Sequence, residues 1–144
     1  MEKTNLKELK IDSYPLKSYD KIRYRDTDRQ GHVNNSLFST FIETGRIEFL
    51  YHPDHHLAIG SNYVIAHINM DFIDEIKWPG NIEIGTAVTK VGNSSIHLAQ
   101  GLYQDSKIVA TAQTVIVQVD AQTKKSKALT QENKTFLESL NLIK

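Results

Sequence analysis

From Ser36 to about Tyr51 the residues Phe38, Phe41, Ile42, Gly45 and Phe49 recur at i, i+3, i+4, i+7 and i+11, the spacing of one helical face. Leu37, Ile47 and Leu50 widen that stripe until little of the circumference is left for water. A helix this apolar has to be wrapped by other elements, and the sequence that follows is nearly all strand. Residues 1–144 are expected to form one domain, because a chain of 144 residues is long enough for one real core and too short for two.

A polar lead-in of about a dozen residues precedes "SYDKIRYRD", which has the aromatic and β-favouring character of a first strand. Beyond the helix, Tyr63 to Ile76 alternates: Val64, Ala66, Ile68, Met70 and Phe72 are predicted on one face, with His67, Asn69 and Asp71 on the other. "WPGN" ends this strand, and "IEIGTAVTKV", "SSIHLAQGLYQ" and "KIVATAQTVIVQVD" follow, parted by the turn signals "GNSS" and "QDSK". Their short connections make them antiparallel neighbours. Thr130 is a candidate N-cap for a closing helix with Phe136, Leu137, Leu140 and Ile143 on one side. The reading is an α+β fold in which an antiparallel sheet wraps a long central helix. "KIVATAQTVIVQV" is apolar at both parities, so the free sheet face is expected to be covered by a second copy, as a homodimer or dimer of dimers.

Charge and composition remove several classes of function. Seventeen Lys plus Arg balance seventeen Asp plus Glu, which leaves no broad field to gather nucleic acid or an anionic membrane. Without a cysteine there is no disulfide framework, thiolate nucleophile or Cys-based zinc site. The charged N-terminus lacks the apolar core of a signal peptide, and no apolar run approaches a membrane span, so a soluble cytoplasmic protein is expected. GxSxG, P-loop and GxGxxG patterns are all missing, so neither a serine-hydrolase elbow nor a common nucleotide loop is supported, and no cofactor is expected.

The chemistry concentrates in "YRDTDRQGHVNN", Tyr24 to Asn35. A helix that begins near Asn34–Ser36 presents unpartnered backbone N–H groups and the positive end of its dipole, a place for a developing anion. Asn34, Asn35 and Ser36 are competent N-caps, and Gly31 lets the loop double back so that Asp26 or Asp28 can lie beside the helix end. A carboxylate beside that positive end is favoured in its ionised form, which suits a nucleophile or general base. A thioester matches such a site, since it expels a weakly basic thiolate and needs no strong acid.

The segment "RYRDTDRQGHVNNSLFSTFIETGRIEFL" resembles the signature of hotdog-fold acyl-CoA thioesterases of the 4-hydroxybenzoyl-CoA thioesterase-like group, and is similar also to acyl-ACP thioesterases. The strand and helix order and the "WPGNIEI" turn extend the likeness over most of the chain. The resemblance implies hydrolysis of an acyl-CoA, or of an acyl-ACP, with Asp28 as the catalytic carboxylate and a backbone N–H close to Asn35 polarising the carbonyl. In acyl-ACP thioesterases an Asn and a His follow the Asp at spacings two and four; here those places hold Gln30 and His32. Hotdog folds also include dehydratases and proteins that bind acyl-CoA without cleaving it, so a sensor module is the alternative function.

Each candidate also has a structural reading. Asp28 beside a Gly-containing turn could cap its own loop, and Asp26 could pair with Arg25 or Arg29. His32 could orient substrate, share a proton with Asp28, or hydrogen-bond the loop. Gly31, Asn34 and Asn35 would shape the substrate site through the backbone. Glu43 is expected to pair with Arg46, and Gly45 to mark a close approach of helix and sheet. "YHPDHHL", with His52, Asp54, His55 and His56, lacks metal-ligand spacing and reads as a polar connection; no metal is expected. His67 and His97 read as ordinary strand histidines, and "TKKSK", Thr123–Lys127, as a solvated run or a contact for coenzyme A phosphates.

Overall fold

The central helix α1 runs over Ser36–Leu50 and buries Phe38, Phe41, Ile42, Gly45, Arg46 and Phe49, the stripe expected from sequence plus one arginine. The computed structural model describes residues 5–29, 31–51 and 58–143. Strands β1 (Leu16–Lys21), β2 (Ser61–Phe72), β3 (Asn81–Val91), β4 (Ser95–Gln104) and β5 (Lys107–Asp120) form one antiparallel sheet in the order β1-β3-β4-β5-β2. Helix α1 rests on β1, β3 and β4, and Ile82, Ile84, Leu102, Ala110 and Ala112 of the sheet meet Phe38, Phe41 and Ile42 in one core. This is the α+β hotdog arrangement.

Gly45 and Gln100 fix how closely the helix lies. A Cβ on Gly45 would stand 2.5 Å from Ile84 Cγ2, so only glycine lets α1 settle there. Fully buried Gln100 donates through Nε2 to the Ile42 carbonyl at 3.0 Å and to Thr86 Oγ1 at 3.1 Å, a polar clamp between helix and sheet.

The lead-in is more structured than its polarity suggests. Two short 3-10 turns, Leu6–Glu8 and Ile11–Ser13, bring Leu9, Ile11 and Tyr14 across the outer sheet face onto Ala87 and Tyr103. The first strand starts earlier than expected and stops at Lys21, and Tyr24–Asp26 is a 3-10 turn. Helix α2 spans Gln131–Glu138, with Thr130 Oγ1 accepting the Asn133 backbone N–H at 3.1 Å as the expected N-cap. Leu137 and Leu140 are buried, whereas Ile143 lies beyond the helix and is exposed.

Strand β2 departs from simple alternation. It ends at Phe72, and a bulge between Ile65 and His67 shifts the register against β5. Ile65 is therefore paired to Ile116 and joins Ile68, Met70 and Phe72 on the helix side, while Val64 joins His67, Asn69 and Asp71 on the outer side. The expected face with Val64 and Ala66 is thus corrected by one extra residue. β2 is also an edge strand with Val64, Ile65, Ile68 and Phe72 exposed.

Candidate active site

The loop before α1 is pinned at both ends by backbone. Val33 N donates to Ile76 O at 2.8 Å, His32 is bridged to Lys77, and Thr27 is bridged to Val33. Gly31 takes φ +79°, the left-handed turn that sends the chain back. Within the turn Asp28 N donates to His32 O at 2.8 Å and His32 N donates to Asp28 Oδ1 at 3.2 Å. Asp28 thus caps its own loop, and its exposed side chain also faces an open cleft of about 830 Å³.

Asn34, Asn35, His32, Phe72 and Glu75 line the same cleft. Asn34 Oδ1 accepts from the Ser36 backbone N–H at 3.1 Å and from Ser36 Oγ at 3.2 Å, so Asn34 is the residue whose side chain caps α1. The Asn35 side chain makes no capping bond, and its backbone N–H donates to no described residue. An uncommitted N–H at the positive end of a fifteen-residue helix is a ready donor to an oxyanion. Phe72 closes the apolar side of the cleft by packing edge-on against Phe38, ring centres 5.1 Å apart.

Glu75 was not singled out from the sequence. Its Oε2 lies 3.2 Å from His32 Nε2 across the rim, an ion pair when the ring is protonated and a hydrogen bond when it is neutral. The backbone bonds from His32 and Val33 to the Ile76–Lys77 segment create this meeting, and no local sequence pattern announces it.

Asp26 stands apart from the cleft. It is buried, accepts Arg23 N at 2.8 Å and lies 3.4 Å from Arg23 Nη2, so its arginine is Arg23 rather than Arg25 or Arg29. Glu43 faces solvent with its Oε2 4.0 Å from Arg46 Nη2, as expected. Arg46 is itself buried, which lowers the pKa of its guanidinium below the usual value. Among the described residues no group of three or more His, Cys, Asp or Glu side chains is placed to hold a metal ion, and His52 to His56 lie outside them. No helix among the described residues is long and apolar enough to cross a membrane.

The sequence model of the thioesterase-like superfamily matches residues 22–137, from before the Asp28 loop through α2. Comparison with curated proteins finds no match. Among solved structures, a protein of Pseudomonas aeruginosa strain PAO1 superposes with a TM-score of 0.81 at 23% identity, covering 92% of this chain and 96% of that one. A predicted thioesterase of Bacillus stearothermophilus gives 0.78 at 22% identity over 88% and 96%. A thioesterase of Thermus thermophilus, complexed with coenzyme A and Zn, gives 0.76 at 22% identity over 89% and 95%. At these identities the likeness establishes the fold.

Proposed function

The chain belongs to the thioesterase-like superfamily, and on that premise we propose that it hydrolyses an acyl-CoA to the free acid and coenzyme A at the Asp28 cleft. What supports this reading is that Asp28, His32 and Asn35, whose backbone N–H donates to no described residue, line one cavity. Asp28 either attacks the thioester carbonyl, giving a mixed anhydride that water then opens, or takes a proton from the attacking water. In both routes the carbonyl oxygen gains negative charge at the N-terminus of α1, where the Asn35 N–H stabilises it, and the C–S electron pair leaves with the coenzyme A thiolate. His32 assists from the same rim. With its Nε2 proton directed to Glu75, the neutral ring keeps a lone pair on Nδ1 that can accept a proton from water.

A homodimer built from the single domain 1–144 belongs to this reading. Edge strand β2 is twelve residues long and exposes Ile65 at 51%, Ile68 at 44% and Phe72 at 54%, although the Phe72 ring meets Phe38 of α1 on one side. A long apolar edge of this kind is unstable in water alone and is satisfied by antiparallel pairing with β2 of a second copy. Such pairing sets the Phe72 end of one β2, and with it the cleft, beside the Ser61 end of the other.

The test is a thiol-release assay on the purified protein with hexanoyl-CoA, palmitoyl-CoA and benzoyl-CoA, alongside the same acyl groups on acyl carrier protein. Turnover of a CoA ester that disappears in Asp28→Asn supports the proposal. Tight binding of all three with no thiol released during a long incubation would instead identify a binding module, and turnover of the carrier-protein esters alone would move the substrate to that class.

A further inference from the structure

The Asp28–His32 loop is held against the segment between β2 and β3 as a short antiparallel bridge, with Val33 N donating to Ile76 O at 2.8 Å and His32 facing Lys77. Where the bond runs between the neighbours of a facing pair, the two facing residues turn their own N–H and C=O groups outward, away from each other. Those of Lys77 therefore need partners on the far side, and one side chain supplies both. Lys77 N donates to Gln104 Oε1 at 2.9 Å, and Gln104 Nε2 donates to Lys77 O at 2.7 Å. A carboxamide offers the same donor and acceptor as a peptide group, so Gln104 stands in for a third strand.

The anchor is rigid and the segment it holds is not packed in. Gln104 is the last residue of β4 and pairs with Lys107 of β5 across Asp105 and Ser106, whose φ values of +51° and +67° are those of a tight hairpin turn. Residues 73–80 are exposed except for Ile76. Gly80, at φ +150°, leaves room for the amide, since a Cβ there would stand 3.0 Å from Gln104 Nε2. Two residues before Lys77, Glu75 places Oε2 3.2 Å from His32 Nε2. A shift of the Lys77 backbone would move this carboxylate and the Ile76 carbonyl that holds Val33.

We propose that Gln104 is a positioning residue for the Asp28 cleft: its amide fixes Lys77, and through Lys77 it sets both the Glu75–His32 contact and the bridge that holds the Asp28 loop. Its effect on turnover rests on the hydrolase reading above; its effect on the loop does not.

Gln104→Met keeps the side-chain volume and removes both bonds. Gln104→Glu keeps the acceptor for Lys77 N but sets an oxygen against Lys77 O, and should move each readout in the same direction. The first measurement needs no substrate. At about pH 8, where an imidazole is ordinarily neutral, long-range 1H–15N spectra report which His32 nitrogen carries the proton, and hydrogen exchange follows the Val33 amide. The wild type should hold the proton on Nε2, directed to Glu75, whereas Q104M should show mixed tautomers and exchange Val33 about tenfold faster, with the Gln118 amide, bonded to Ser94 O, unchanged. Glu75→Ala should release the ring while leaving Val33 protected, which separates loss of the partner from loss of the clasp. An unaltered tautomer and unaltered Val33 exchange in both Gln104 variants overturn the proposal, whether or not the protein hydrolyses anything. The second measurement is steady-state hydrolysis of acyl-CoA. Q104M should lower kcat about tenfold with KM within about twofold, and adding Glu75→Ala should cost little more. A variant that melts lower but keeps the wild-type kcat would make Gln104 a residue of the fold alone, and a raised KM at unchanged kcat would make it a substrate contact; either result overturns the assignment.

Discussion

Asp28 and His32 are bonded twice through the turn they share: Asp28 N donates to His32 O at 2.8 Å, and His32 N donates to Asp28 Oδ1 at 3.2 Å. The second bond needs only an oxygen acceptor, which an asparagine also provides. Asp28→Asn is therefore expected to fold with an unchanged melting temperature while turnover falls by roughly a thousandfold, the scale of losing a catalytic carboxylate. Asp28→Ala should lose the turn bond as well, at about 1 kcal/mol. Thermal unfolding beside thiol release separates the two variants. A single turnover in 18O-labelled water bears on the route: label in the Asp28 carboxylate means attack by Asp28, whereas label in the product acid alone is shared by activated water and by an anhydride that water opens at the acyl carbonyl, and trapping the anhydride with hydroxylamine separates those two.

If Glu75 works by holding the His32 ring, the pair should behave as a unit. Glu75→Ala and His32→Ala are each expected to lower kcat by about tenfold or more, with the double variant close to the worse single one. Glu75→Gln keeps a neutral acceptor 3.2 Å from Nε2 and should lose less. Multiplying effects in the double variant would show that the two residues act separately.

What could be read from the sequence was what depends on local spacing. The stripe from Phe38 to Phe49 fixes the central helix, because periodicity is a property of neighbouring residues, and the Thr130 cap is readable for the same reason. The meeting of Glu75 with His32 is not local: it depends on Val33 N reaching Ile76 O, a contact made only by the fold. Asp26 chose Arg23 because a 3-10 turn over Tyr24–Asp26 brings those two together, where a strand would have turned them apart. The bulge at Ala66 had no glycine to mark it, so the faces of β2 were assigned one residue out of step on its N-terminal side.

Gly45→Ala offers a stability test with two opposing terms. An exposed helical glycine gains about 1 kcal/mol on replacement by alanine. Here the new methyl would stand 2.5 Å from Ile84 Cγ2 and 2.8 Å from Gln100 Nε2, both wholly buried, and relieving such overpacking costs about 1 to 3 kcal/mol. Net destabilisation is expected, seen as a lower urea midpoint with an unchanged slope. A higher midpoint would mean that α1 can lift from the sheet without cost.

The Tyr14 hydroxyl makes an alkaline limit for the fold. Burial, with a smaller effect from Tyr103, raises its pKa well above the ordinary value, and burial raises Tyr63 and Tyr103 too. In the unfolded chain a tyrosine ionises near pH 10, so above about that pH the unfolded state releases a proton that the folded state retains. This contribution is whole below pH 10 and is lost as pH climbs toward the raised folded value. Tyr14→Phe should be at least as stable as the wild type at pH 7, since its buried hydroxyl finds no hydrogen-bond partner among the described residues, and should melt higher than the wild type above pH 10. Parallel melting curves from pH 8 to 11 would refute it.

Strand β2 provides the test on which the assembly depends. Ile68 lies near the middle of the edge, on the face shared with Met70 and Phe72, and is 44% exposed. Ile68→Lys leaves the subunit's own core intact, because the long side chain can carry its ammonium into water. At a β2–β2 seam the same change brings two lysines close across the two-fold axis, buries charge and repels. The variant is therefore expected to elute as a folded monomer with a melting temperature that no longer rises with protein concentration, whereas Ile68→Val should remain a dimer. Because a cleft in a monomer lacks the neighbouring subunit's Ser61 end, KM for acyl-CoA should rise at least tenfold along with dissociation. A monomer that retained wild-type KM would show that each cleft is complete within one chain.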